Sequence, residues 1–187
     1  MTTASSLGAI IDALDGAGIP HMLAGSFASS LHGLARTTAD IDLVIDPAAG
    51  AVDRFVDRLD VDRFYVDRQA ARRASDQRDQ FNVIDTATGW KVDLIVKKDR
   101  PFSVTEFERR SPATVLGVPV LVATAEDTVL AKLEWSRGSD SDRQRRDVTE
   151  ILRIRAAGLD EAYLDRWAAD LDLTDLLATA RRAASST

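Results

Sequence analysis

The sequence contains no cysteine among its 187 residues. That excludes disulfides, thiolate metal sites and a cysteine nucleophile. It also lacks any run of about 18 apolar residues, so no segment is expected to span a membrane. The opening stretch, MTTASSLGAIIDALDGAG, carries no basic run ahead of its apolar residues, and Asp12 and Asp15 interrupt them. It reads as an amphipathic helix, not as a signal peptide. A cytoplasmic protein is the expectation from these absences. Positive charge is also short: 24 Lys and Arg stand against 30 Asp and Glu, a formal net charge of −6. This argues against a broadly basic nucleic-acid-binding surface. No internal repeat is visible.

What is present is an ordinary globular composition, 45% hydrophobic and 29% charged, over a length that suits one domain with a small appendage. The charge is unevenly placed. Arg68, Arg72, Arg73 and Arg78 face a single acid, Asp76, within their stretch. Arg137, Arg143, Arg145, Arg146, Arg153 and Arg155 stand among Asp140, Asp142, Asp147 and Glu150. Such patches can meet a phosphate backbone or a nucleoside triphosphate. Taken alone, they read as solvated helix faces laced with local ion pairs.

Along the chain, Leu7, Ile10, Ile11 and Leu14 fall on one helical face, and Gly16 and Gly18 are expected to end that helix. Pro20 precedes a short strand, 21–24. A Gly25-Ser26 turn follows, and then a helical segment, Phe27 to Leu31, that ends at Gly33. Pro47 is expected to open a helix with Val52, Phe55, Val56 and Leu59 on its buried side. Phe64-Tyr65-Val66 is a short strand, and 68–78 a short helix or loop. Residues 80–85 and 90–96 read as a hairpin around Thr86-Ala87-Thr88-Gly89. Residues 99–114, with Pro101 and Pro112, read as irregular, and 118–122 as an edge strand that tolerates Pro119. From Thr124 onward the pattern is helical: 124–135, 141–155 and two shorter segments. The shift near Ala123 divides the chain into 1–123 and 124–187. His21 and His32 read as packing or surface residues, and Trp90, Trp135 and Trp167 as core anchors.

The informative stretch is Met22 to Asp46. It ends in Asp40-Ile41-Asp42-Leu43-Val44-Ile45, an apolar run interrupted by two acids. A strand alternates its faces with period two, so Asp40 and Asp42 point the same way. In a buried strand two such carboxylates are costly without a cation between them, and carboxylate oxygens suit Mg²⁺. Asp93, between Val92 and Leu94, is a third acid in an apolar strand. Gly25 lets a ligand approach the backbone, and the helix start after it offers free N–H groups to a phosphate. Ser26 suits a cap or a phosphate oxygen. These are the parts that phosphoryl or nucleotidyl transfer needs.

The order Gly25-Ser26, a gap of thirteen residues, Asp40-Ile41-Asp42 and then Val92-Asp93-Leu94 resembles the polymerase-beta-type nucleotidyltransferase superfamily. Arg36-Thr37-Thr38-Ala39-Asp40-Ile41-Asp42-Leu43 is similar to the bacterial AbiEii-type branch. So is Ala125-Glu126-Asp127-Thr128-Val129-Leu130-Ala131-Lys132-Leu133, followed by Arg146-Asp147-Val148. That branch includes toxins of toxin–antitoxin pairs. The resemblance implies an α+β fold: a mixed or antiparallel sheet flanked by helices, then a C-terminal helical bundle. It implies that Asp40 and Asp42 ligate Mg²⁺ and that Asp93 completes the metal site or acts as general base. Gly25 and Ser26 would bind the nucleotide's phosphates, Lys132 would reach the triphosphate, and Asp147 would orient Lys132 or an arginine.

Three readings of function follow. The first is an Mg²⁺-dependent enzyme moving NMP from an NTP to a hydroxyl with release of pyrophosphate. Its acceptor would be an RNA or tRNA 3′ end, and an antitoxin protein its possible partner. The second keeps the chemistry but takes a small-molecule hydroxyl acceptor, such as an aminoglycoside or lincosamide antibiotic, which the net acidic charge suits. The third is a nucleotide-binding or partner-binding module without turnover.

Overall fold

The structure, a computed structural model, describes residues 3–34, 38, 40–138 and 142–186. Arg36, Thr37 and Ala39 of the Asp40 run, and Ser141 at an expected helix start, lie outside the described residues. In chain order the elements are α1 (Thr3–Ala17), β1 (His21–Leu23), α2 (Gly25–His32), β2 (Asp40–Ile45), α3 (Ala51–Arg58), β3 (Phe64–Val66), α4 (Arg68–Gln77) and β4 (Gln80–Asp85). They continue with β5 (Lys91–Val96), α5 (Pro101–Glu108), β6 (Ser111–Val115), β7 (Val118–Val122), α6 (Ala125–Gly138), α7 (Asp142–Arg155), α8 (Glu161–Asp170) and α9 (Thr174–Ser185). Among the described residues, no helix is long and apolar enough to cross a membrane. The chain divides into two compact units, Met1–Phe27 with Thr38–Val122, and Ala28–Thr37 with Ala123–Thr187.

The first unit holds a seven-stranded sheet in the order β3-β4-β5-β2-β1-β7-β6. It is mixed: β2 and β5 pair in parallel, as do β1 and β7, while the other neighbours are antiparallel. Alternation explains its core. Phe81 and Val83 of β4 and Val92, Leu94 and Val96 of β5 are buried at every second position. Helix α1 buries Leu7, Ile10, Ile11 and Leu14, spaced for one face. Helix α3 buries Val52, Phe55 and Val56, and the Phe55 ring meets Phe81 edge-on at 6.4 Å. Each such side chain contributes roughly 1.5–3 kcal/mol by leaving water.

Several boundaries differ from the sequence expectation, each for a local reason. Helix α1 runs through Gly16 to Ala17, whose carbonyl accepts from Arg54 Nη2 at 3.2 Å. It stops at Gly18, which has φ +70°. Pro47 does not open a helix; α3 begins only at Ala51, after Gly50 with φ 72°. Residues 68–77 are helix because the Asp67 carboxylate caps them, accepting from Gln69 N at 2.9 Å and Ala70 N at 3.0 Å. Residues 99–114 are not irregular. Pro101 sits in the first turn of α5, where a missing N–H costs nothing, and β6 follows. That makes β6, not β7, the sheet edge. Pro119 is tolerated in β7 because β1 pairs with that strand only at Leu23–Val122 and does not reach it.

In the second unit α6 packs on α7 and α8, and α7 packs on α9. Val129, Leu130, Leu133, Val148, Ile151 and Leu152 are buried. Thr124 and Asp127 cap α6 reciprocally: Asp127 N donates to Thr124 Oγ1 at 3.2 Å, and Thr124 Oγ1 donates to Asp127 Oδ2 at 2.6 Å. Tyr163 donates to the other oxygen of Asp127 at 2.5 Å. Trp167 is buried as expected. Trp135 is not a core anchor, being 62% exposed. His32 is a packing residue: its Nε2 donates to the Ala123 carbonyl at 2.7 Å, and burial holds its pKa below the ordinary histidine value.

Asp85, unremarked in the sequence, is fully buried and fastens α1 to the β4–β5 hairpin. Its Oδ2 accepts from Ser6 Oγ at 2.7 Å and from Arg63 Nη2 at 2.7 Å, and its Oδ1 accepts from Ala87 N at 3.0 Å. Burial alone would raise its pKa. The bonds from Arg63, Ser6 and Ala87 outweigh that and bring it down from 3.8 to about 2. Asp85→Asn is expected to cost roughly 2–4 kcal/mol at neutral pH, read by chemical denaturation. A depressed folded pKa stabilises above the unfolded value and loses that effect as protons bind. The stability gap between the wild-type chain and the variant should therefore narrow as pH falls from 3.8 towards about 2.

Candidate active site

The first unit brings five of the expected site residues together: Gly25, Ser26, Asp40, Asp42 and Asp93. The means is the β2–β5 pairing. Parallel register sets Asp40 opposite Lys91 and Asp42 opposite Asp93. Directly paired residues share a face, so all four side chains lie on one side of the sheet. Ile41, Leu43, Val92 and Leu94 are buried on the other.

The expectation that both acids of β2 are buried is corrected. Strand β2 is sealed from Leu43 onward but open at its start. The Asp40 side chain is 51% exposed, and Asp42 is half-buried. A carboxylate face at the open end of a strand keeps part of its hydration, which lowers the cost that burial would impose.

Gly25 explains the turn from β1 into α2. Its φ is +57°, and a Cβ built there would lie 1.8 Å from Asp42 Oδ2 and 2.5 Å from its Cγ. The Asp42 side chain therefore occupies the space that any other residue at 25 would fill. The helix begins at Gly25 itself, two residues before the expected Phe27. Ser26 N donates to Asp42 Oδ2 at 3.4 Å, and Ala24 N donates to the Asp42 backbone carbonyl at 2.9 Å. The start of α2 thus faces a carboxylate, as the positive end of a helix favours. Phe27 and Trp90, which flank Ser26 and Lys91 in sequence, pack with ring centroids 6.2 Å apart.

Sequence reasoning missed Lys91. Its Nζ lies 2.8 Å from Asp93 Oδ2 and 4.0 Å from Asp40 Oδ1. The hydrogen bond to Asp93 raises the Lys91 pKa above the ordinary lysine value, against burial, and the charges of Asp93, Asp40 and Asp42 add to the rise. The signal was available: Lys91 is two residues before Asp93, hence on its face.

The donor set suits a hard divalent cation, since it offers carboxylate oxygens alone. The spacing is another matter. Among the described residues, no three or more His, Asp or Glu side chains are gathered as a set that could hold a metal ion. Lys91 Nζ stands between Asp93 and Asp40 instead.

Lys132 and Asp147 belong to the second unit. They are not the helix-surface residues that a bland reading of their positions suggests. Lys132 Nζ donates to Asp147 Oδ2 at 2.9 Å and to Gln144 Oε1 at 2.7 Å, with the two charged side chains only 6% and 10% exposed. A buried pair like this one fixes α6 against α7 and orients the ammonium.

No protein-family model matches the sequence, and no curated protein matches it either. Solved structures do. The crystal structure of ANT(2'')-Ia in complex with adenylyl-2''-tobramycin matches at a TM-score of 0.61 and 15% identity, over 92% of this chain and 98% of that one. A nucleotidyltransferase-like protein from Paracoccidioides brasiliensis matches at 0.56 and 18% identity, over 96% and 92%. The chain has a nucleotidyltransferase fold. A solution structure of the antibiotic-resistance factor ANT(2'')-Ia gives the same fold at 0.58 and 15% identity, over 94% and 95%. In this nucleotidyltransferase fold the mixed sheet and flanking helices match the expected class.

The Gly25–Asp42 contact is directly testable. Gly25→Ala should destabilise the chain by about 1–3 kcal/mol, from the left-handed backbone and the collision together. In an Asp42→Gly background the same change should cost less, because only the backbone penalty remains. Urea unfolding of the four proteins measures both terms.

Proposed function

We propose that the chain is a divalent-metal-dependent nucleotidyltransferase that moves NMP from an NTP to a hydroxyl and releases pyrophosphate. The observation that carries this reading is the register that sets Asp42 opposite Asp93, beside a helix start moulded around the Asp42 carboxylate. Asp40, Asp42 and Asp93 would hold Mg²⁺. When bound, Mg²⁺ would offset the charge on the phosphates and on the departing pyrophosphate. The backbone at Gly25 and Ser26 would bind phosphate oxygens. The acceptor oxygen forms a bond to the α-phosphorus. The bond from that phosphorus to the bridging oxygen breaks, and pyrophosphate leaves with the electron pair. The acceptor proton passes to Asp93 or to solvent.

For the acceptor, a cationic small molecule with free hydroxyls fits best. The net charge of −6 attracts one. In the first of the two arginine stretches, three of the four arginines are paired locally. Arg68 pairs with Asp57 at 2.5 Å, Arg72 with Asp53 at 2.8 Å and Arg78 with Asp99 at 2.6 Å. The likeness to ANT(2'')-Ia over nearly the whole of both chains supports the same reading. The AbiEii-type motif supports the other acceptor, an RNA 3′ end, with an antitoxin as partner.

The test is incubation with each α-labelled NTP, Mg²⁺ and either an aminoglycoside panel or total RNA. Label should move to a drug, and Asp42→Ala should lower the rate by roughly 10³-fold or more. Equal transfer by wild type and Asp42→Ala would sink the catalytic reading. Transfer to RNA alone, with growth arrest on expression in place of drug resistance, would favour the toxin.

A further inference from the structure

Lys91 has no part in the reaction as written, yet its ammonium stands between Asp93 and Asp40 on the carboxylate face. Asp42 and Asp93 are direct cross-strand partners, and like charges so placed destabilise a sheet. The lysine opposite Asp40 offsets that repulsion, at 2.8 Å from Asp93 and 4.0 Å from Asp40. Its side chain is 41% exposed, so a hydrated route out of the cluster lies open. A divalent cation and an ammonium cannot both take the same carboxylate oxygen without strong repulsion at that range.

We propose that Lys91 is a resident counter-ion of Asp93 and Asp40, and that a divalent cation must displace it from Asp93 in order to bind. The proposal rests on the reading of Asp40, Asp42 and Asp93 as metal-holding residues. Lys91 is then a positioning residue with two opposed effects. It stabilises the metal-free face and weakens metal binding by competition.

The experiment is calorimetric titration of Mn²⁺ into the full chain without nucleotide. Lys91→Met is expected to bind Mn²⁺ about tenfold or more tightly than wild type, because the ammonium that competes for Asp93 is gone. Lys91→Arg keeps the charge and is expected to bind as weakly as wild type. Equal affinity in wild type and Lys91→Met overturns the counter-ion role while leaving the metal reading intact. No Mn²⁺ binding by any of the three overturns both. Thermal unfolding gives a second readout. In chelator, Lys91→Met should melt below wild type, and Mn²⁺ should raise its midpoint by more than it raises that of wild type. An equal rise contradicts the proposal. If Lys91→Met does not fold in chelator, refolding it in Mn²⁺ should rescue it, and failure to rescue likewise overturns the role.

Discussion

The parallel pairing of β2 with β5 is the constraint from which the site follows. A shift of one residue would turn every side chain of β2 to the other face. Asp40 and Asp42 would then enter the apolar layer that now holds Ile41, Leu43, Val92 and Leu94. The same register that seals the core therefore collects the charges. Parallel neighbours need a crossover, and here it runs through α3, β3, α4 and the antiparallel strand β4. The Asp85 cluster belongs to that crossover. It ties Ser6 of α1 and Arg63 to the end of β4, next to the turn that leads into Lys91 and Asp93.

The second constraint is steric. Asp42 is held at both ends, its backbone carbonyl by Ala24 N and its carboxylate by Ser26 N. Only a residue without a Cβ fits at position 25 beside it. The glycine of the Gly-Ser turn thus matters to the fold itself, apart from any role towards a phosphate. Two roles coincide there: room for the Asp42 carboxylate and close approach to the backbone of a helix start.

The sequence made the carboxylates legible because acids inside apolar runs are conspicuous, and the face they share follows from period two. Their exposure was not legible. Whether a strand end is open depends on what covers it, and composition does not record that. Lys91 went unnoticed because a lysine at a strand start looks like an ordinary edge residue until the partner strand is known. Helix α5 and strand β6 were hidden by Pro101 and Pro112, which read as breakers but occupy a helix first turn and an edge strand. Helix α4 was ambiguous because its buried face is only Ala71 and Ala74, and the Asp67 cap supplies what apolar periodicity does not. The Lys132–Asp147 pair bridges two helices, so its burial was visible in neither helix alone.

Electrostatics links the proposed substrates to one another. With Arg68, Arg72 and Arg78 paired to nearby acids, the excess negative charge of the chain is not offset by that stretch. A field of this sign favours encounter with a cationic acceptor and disfavours a bare triphosphate. The three carboxylates sharpen the conflict, since they sit beside the helix start proposed to bind phosphates. Lys91 offsets part of the charge of Asp93 and Asp40. A triphosphate that arrives with a divalent cation is repelled less, because the cation offsets part of its charge. On this reading the acid-rich face discriminates between nucleotide with metal and nucleotide without it, and the discrimination comes from charge alone, ahead of any contact with the base.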